Sequence, residues 1–187
     1  MAKTDERKNG KKPFSAKRIA LMAVFVALSY AVSWIEIPIV EPFKLDFGNV
    51  FILLIAFLLG PIEGVIVCVL KEALRMIGSG SGGVGELANM LVTCSYILVP
   101  SVVYRFKKGL KWVVPCLIAG CLIATITALF ANRFINFPLY MGDGAAVAFQ
   151  KLFWVIVAFN LGKTVAVSLL TLLLYKRLSN FFKKWER

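Results

Sequence analysis

The feature that most constrains this chain is the spacing of its charges: long apolar stretches with almost no Asp, Glu, Lys or Arg alternate with short segments in which those residues gather. A helix of about 20 apolar residues spans the hydrocarbon core of a bilayer, so such stretches read as transmembrane segments. Composition points the same way, with 59% hydrophobic residues and a mean hydropathy of +0.80, against roughly 45–50% apolar content in a soluble domain. A soluble fold of 187 residues could not hide that much apolar surface. The expected class is an all-α polytopic membrane protein, a six-helix transmembrane bundle.

The formal net charge of +12 would suggest nucleic acid if the basic residues formed one face of a folded domain. Instead sixteen of the 22 gather in three clusters. One is the tail (Lys3, Arg7, Lys8, Lys11, Lys12, Lys17, Arg18), one surrounds 105–111, and one follows Tyr175. Loops and tails rich in Lys and Arg stay on the cytoplasmic side, so this pattern predicts cytoplasmic termini and no nucleic-acid partner. Residues 1–18 form a basic tail expected to be disordered, 19–178 the membrane domain, and 179–187 a second basic tail. Ser29-Tyr30-Ala31 loosely resembles a signal-peptide cleavage site. The apolar run from Ile19 to Ile35 exceeds the ~7–15 residues of a signal core, which favours a retained first helix.

Charge parity resolves the segment from Phe47 to Ile77, too long for one span and short for two. The basic tail and the basic 105–111 turn belong on one side, which requires an even number of crossings between them. Two short helices therefore meet at Gly60-Pro61, where glycine ends one helix and proline begins the next. A charged loop with Glu36, Glu41, Lys44 and Asp46 precedes them, and its carboxylates read as solvated. Gly78 to Gly85 forms an outer loop. Spans follow from Glu86 to Tyr104 and from Trp112 to Ala131, an outer loop from Asn132 to Lys151, and a last span from Leu152 to Tyr175.

Several suggestive patterns lack the context their chemistry needs. Gly78-Ser79-Gly80-Ser81-Gly82-Gly83 matches G-x-G-x-x-G but follows an apolar helix where a dinucleotide fold needs a strand. Gly162-Lys163-Thr164 resembles the end of a P-loop whose first glycine is here Val157, so no ATPase is expected. Cys68, Cys94, Cys116 and Cys121 lie in apolar segments with no histidine in the chain, and read as small core residues with no metal site. No catalytic set of an intramembrane enzyme is present.

Polar residues in and beside the spans carry the functional signal. Lys163 lies inside a span, where a lysine is costly unless it pairs, snorkels or meets a ligand. Asn160, three residues earlier, shares its helix face, about 12–17 Å from the outer end of the expected last span. The pair fits either a hydrogen-bonded lock between helices or a ligand contact. Glu86 and Asn89 repeat the spacing at the start of another span, where capping alone accounts for Glu86. Asn132, Arg133 and Asn136 stand at the same side, so three helices bring polar groups together at the outer face. Lys71, Glu72 and Arg75 can pair among themselves and read as structural. Ala23, Ala27 and Ala31 form a small-residue stripe on the first span, suited to close helix approach within this bundle or against a partner.

Three further segments bring a family into view: Phe43-Lys44-Leu45-Asp46-Phe47, Gly82-Gly83-Val84-Gly85-Glu86-Leu87-Ala88-Asn89 and Phe159-Asn160-Leu161-Gly162-Lys163. In this order and at these span ends, followed by Ser168 to Ser179, the sequence resembles the substrate-binding S components of energy-coupling factor vitamin transporters, and the riboflavin-specific branch in particular. The resemblance runs from about Ile19 to Leu178. It implies capture of riboflavin outside a prokaryotic cell, with FMN as a competitor through its shared ring. It also implies a transmembrane coupling subunit and two cytoplasmic ATPase subunits as partners, with no cofactor beyond the transported substrate. Asn132, Asn160 and Lys163 are carried over as substrate contacts, Glu86, Asn89, Lys44 and Leu45 as weaker ones, and the alanine stripe as the docking face. S components for thiamine or biotin, or a small channel without a ligand, are the competing readings.

Overall fold

The computed structural model describes residues 15–40, 43–80, 82–107 and 110–185. The basic tail up to residue 14 lies outside the described residues, as do Glu41, Pro42, Ser81, Lys108, Gly109 and the last two residues. Helix α1 runs Ala16–Ser33, opened by Ser15, whose hydroxyl accepts the Arg18 amide. Strands β1 (Glu36–Val40) and β2 (Phe43–Asp46) follow, then α2 (Asn49–Leu58), α3 (Pro61–Ile77), α4 (Val84–Phe106) and α5 (Leu110–Ala131). A π-helical turn at Asn132–Asn136, the short α6 (Phe137–Met141) and a 3-10 turn at Gly142–Gly144 lead into α7, Ala145–Trp185. Three described segments are long and apolar enough to cross a membrane: Ala16–Ser33, Val84–Phe106 and Lys111–Tyr175.

Two expected loops are ordered structure. The charged segment before α2 is an antiparallel hairpin, with Glu36 opposite Asp46 and Ile37 opposite Leu45. Its Asp46 is buried rather than solvated, at 7% exposure. The expected outer loop from Asn132 to Lys151 is helical nearly throughout, and α7 begins at Ala145. Lys163 therefore stands about 27 Å along its helix at ~1.5 Å per residue, farther from the helix start than the expected span boundaries implied.

The break between α2 and α3 lies where the sequence placed it. Gly60 takes φ +132°, a conformation that disfavours side chains, and Pro61 begins α3. At that break Arg18 donates to the Leu59 carbonyl at 2.9 Å and pairs with Glu63 at 2.8 Å. The start of α1 is thereby fastened to the α2–α3 corner. Phe57, Tyr104 and Tyr175 meet nearby in edge-on and tilted contacts, gathering the ends of α2 and α4 with the far half of α7.

The core lies along α2, whose Ile52, Leu53, Leu54 and Ile55 have no exposed surface. Such an all-round apolar helix is a central one. Small residues set its close contacts: a Cβ on Gly64 would come within 2.5 Å of the Ala56 Cβ. On the other side of the bundle a Cβ on Gly120 would lie 2.8 Å from the Tyr96 carbonyl oxygen. That carbonyl has no helical partner four residues on, because position 100 is proline. Pro100 and Gly120 thus let α4 and α5 approach backbone to side. Ala23, Ala27 and Ala31 are exposed on α1, away from this core.

Candidate functional site

At the end of the bundle opposite the Arg18 corner, a cavity of about 900 Å³ opens between the hairpin, the turn before α4, the irregular segment after α5, and α7. This lies in the 300–1,000 Å³ range of small-molecule sites. Its walls mix aromatic surface from Trp34, Phe43, Phe137 and Phe159 with the amides of Asn89, Asn132 and Asn160 and the ammonium of Lys163. Phe43 of β2 packs on Phe159 of α7 with ring centroids 5.2 Å apart, joining the hairpin to the last helix.

The sequence-predicted residues converge here with two exceptions, Leu45 and Arg133, the latter exposed and lying over the Phe149 ring instead. Asn132, Asn160, Lys163, Glu86, Asn89 and Lys44 all line the cavity. Leu45 alternates away from Lys44 and Asp46 along β2, as strand geometry requires, and is not among the lining residues. Asn132 donates to the Ala128 carbonyl at 2.8 Å and accepts from Asn136 at 3.1 Å. Asn160 donates to the Ile156 carbonyl at 2.9 Å. Each amide is thus fixed by its own helix while facing the cavity. Glu86 stands in the first turn of α4 and accepts from the Ser79 hydroxyl at 2.8 Å, closing the glycine-rich turn on the helix.

A polar network lies beneath these residues. Lys163 Nζ donates to Asn89 Oδ1 at 2.7 Å, and Asn89 Nδ2 donates to Glu72 Oε1 at 2.5 Å. The same Glu72 oxygen accepts from Lys71 Nζ at 2.8 Å, and Lys71 Nζ donates also to Asp46 Oδ2 at 2.5 Å. Lys71 and Glu72 are 0% and 1% exposed. Alternating signs make that burial tolerable, since an unpaired charge there would cost several kcal/mol.

The pairing differs from the expected one within α3. Lys71 does bond Glu72, but Arg75 turns to Glu36 and to the Ser33 carbonyl, the latter at 3.0 Å. Lys44 reaches Glu36 from the other side at 3.0 Å. Burial opposes ionisation of Glu36, but hydrogen bonds from Lys44 and Arg75 outweigh it and hold this carboxyl below its usual pKa. Glu36, Asp46, Glu72 and Arg75 are therefore cavity-lining residues that the sequence reading set aside. Alternation of Ile37 and Ile39 with more polar or turn-forming neighbours, followed by Phe43-Lys44-Leu45-Asp46, was the available signal for the hairpin that brings two of them there.

All four cysteines are free, and no group that could hold a metal ion occurs among the described residues.

A family model described as "ECF transporter, substrate-specific component" matches residues 17–175. The riboflavin transporter RibU of Staphylococcus aureus (strain TCH60) is 31% identical over 176 residues, covering 90% of this chain and 93% of that protein. The riboflavin transporter FmnP of Bacillus subtilis (strain 168) is 21% identical over 180 residues, covering 90% and 95%. A solved structure described as "Structure and mechanism of the S component of a bacterial ECF transporter" superposes with a TM-score of 0.77 at 32% identity, covering 89% of this chain and 98% of that one.

Proposed function

Because the chain belongs to the substrate-specific components of ECF transporters, we propose that it captures riboflavin for uptake into the cell and delivers it to a transport complex. It is a binding subunit of a membrane transporter, not an enzyme. The observation that carries the substrate is the cavity, where four asparagines and Lys163 converge between aromatic walls. An isoalloxazine ring is flat and largely apolar, with donors and acceptors along its pyrimidine edge and ribityl tail. Asparagine can donate and accept there, whereas an ammonium only donates and suits carbonyl or hydroxyl oxygens. We assign Asn132, Asn160 and Lys163 as the principal contacts, with Asn89, Glu86 and Lys44 supporting.

The charges favour the neutral vitamin over its phosphate. Lys44, Arg75 and Lys163 line the cavity beside Glu36, Asp46, Glu72 and Glu86, and Lys71 behind the wall balances the count. A phosphate bringing about 1.5–2 negative charges meets no surplus cation.

The proposed topology has six crossings, α1 to α5 and α7, with both termini cytoplasmic and the cavity facing out. Supporting it, Lys17, Arg18, Arg105, Lys107 and Lys111 flank helix ends remote from the cavity, matching the positive-inside rule. Energy would come from a transmembrane coupling subunit and two cytoplasmic ATPase subunits. The exposed Ala23, Ala27 and Ala31 stripe is the proposed docking face for the coupling subunit.

Calorimetry on ligand-stripped protein in detergent tests the assignment. Saturable, stoichiometric riboflavin binding without ATP is expected, tighter than that of FMN. Absence of riboflavin binding, with thiamine or biotin bound instead, would move the chain to another vitamin.

A further inference from the structure

The buried network reaches beyond the cavity floor, and one of its inner members, Lys71, touches neither the cavity nor its proposed ligand. Lys71 is completely buried and is not among the lining residues. Its two acceptors lead in opposite directions. Glu72 leads through Asn89 to Lys163, on the cavity floor. Asp46 ends β2, and its other oxygen accepts the Gly48 amide at 2.6 Å, fixing the exit of the hairpin into α2. Gly48 in turn has its carbonyl held by the Ser29 hydroxyl at 2.8 Å, and a Cβ there would collide with α1. One helical turn beyond Lys71, Arg75 holds Glu36, the residue of β1 directly opposite Asp46. Residues four apart share a helix face. That face of α3 therefore grips both strands of the hairpin at its base.

We propose that Lys71 is a positioning residue for substrate binding, tying the hairpin wall of the cavity to the Asn89–Lys163 floor through its shared hold on Asp46 and Glu72. The physical reason is the sharing of acceptors. Glu72 Oε1 serves both Lys71 and Asn89, so the placement of Asn89, and of the ammonium bonded to it, depends on where Lys71 sets the Glu72 carboxylate. Asp46 depends on the same ammonium. Phe43, Lys44 and Asp46 line the cavity from β2, and Glu36 and Pro38 from β1. A ligand held between wall and floor is thus retained by both ends of one charge chain. Low local dielectric strengthens such chains and makes any break in them expensive.

The inference rests on the flavin reading, and its test has one arm that needs no ligand. Two variants are compared with the parent: Lys71→Met, and Lys71→Met with Asp46→Asn. The second removes opposite charges together and leaves Glu72 balanced by Lys163, so that folding is retained if the single variant is lost. In ligand-free protein, amides of β1 and β2 should exchange with solvent faster in the variants while those of α5 do not. In stopped-flow fluorescence, riboflavin should dissociate about threefold faster, with association changed little, as is usual when one interface is altered. Ligand binding should also slow exchange in β1 and β2 less than it does in the parent. A purely structural lysine would lower thermal stability and leave the dissociation rate of folded protein unchanged. That outcome, or hairpin exchange identical to the parent, overturns the proposal. Failure of the parent to bind riboflavin would instead remove the substrate assignment, while the ligand-free exchange arm still decides whether Lys71 ties the hairpin.

Discussion

Lys163 carries one end of the charge chain into the cavity, where its visible partner is Asn89 Oδ1. An ammonium has three donors, so a substrate oxygen can be accepted without disturbing that bond. Replacing Lys163 with Met should weaken riboflavin binding by about five- to 150-fold, corresponding to ~1–3 kcal/mol for a buried polar group left without its partner. The equilibrium loss should exceed that of Lys71→Met, which removes no direct contact. Titration of both folded variants by flavin fluorescence checks the order, and equal affinity of Lys163→Met and parent would exclude Lys163 as a contact. From sequence, Lys163 and Asn160 were visible because polar groups are rare in apolar segments. Asp46 was not, because a carboxylate between Pro42 and Gly48 looks solvated until Lys71, 25 residues on, is known to lie against it.

Among the elements, the hairpin is the one that local pattern leaves most ambiguous, and it supplies a full wall of the site. Its charged edge makes a pH prediction. With the folded pKa of Glu36 held below its ordinary value, ion pairing contributes fully above the unfolded carboxylate value of about 4.3 and is lost as pH falls through the lower folded value. Solvent still reaches this part-buried group and screens it, so the effect should be local. Exchange or proteolysis at β1 and β2 should rise in that acid window, and Glu36→Gln should flatten the profile. The α4–α5 contact makes a second prediction. Gly120 has no room for a side chain against Tyr96, so Gly120→Val should overpack the crossing and lower stability by about 1–3 kcal/mol. Thermal unfolding followed by tryptophan fluorescence would register it, and unchanged unfolding would mean the helices can part.

For the molecule as a whole, the two ends carry different duties. The cavity occupies one, and the Arg18 corner with the Phe57–Tyr104–Tyr175 cluster the other. The alanine stripe lies on the outside of α1, between them. Ala27→Leu should therefore leave riboflavin binding by the isolated protein nearly intact while reducing assembly with the coupling subunit and uptake by cells. Normal assembly and uptake would show that the stripe docks nothing. Lost binding together with misfolding would place Ala27 in this protein's own packing.

The sequence by itself determined the membrane class, the helix break at Gly60-Pro61 and most of the polar residues that face the cavity. These follow from local properties: apolar run length, the conformational demands of glycine and proline, and the cost of a polar group in an apolar helix. Only the tertiary structure decided that Glu36 and Asp46 are cavity-wall residues, that α7 begins at Ala145, and that Lys71 joins wall to floor. Ion pairs between Asp46 and Lys71 or Glu36 and Arg75 join residues 25 and 39 positions apart, and no local pattern encodes which distant charge will meet which. Burial chooses the partners, because within the bundle a charge persists only where the packing of several elements brings it an opposite one.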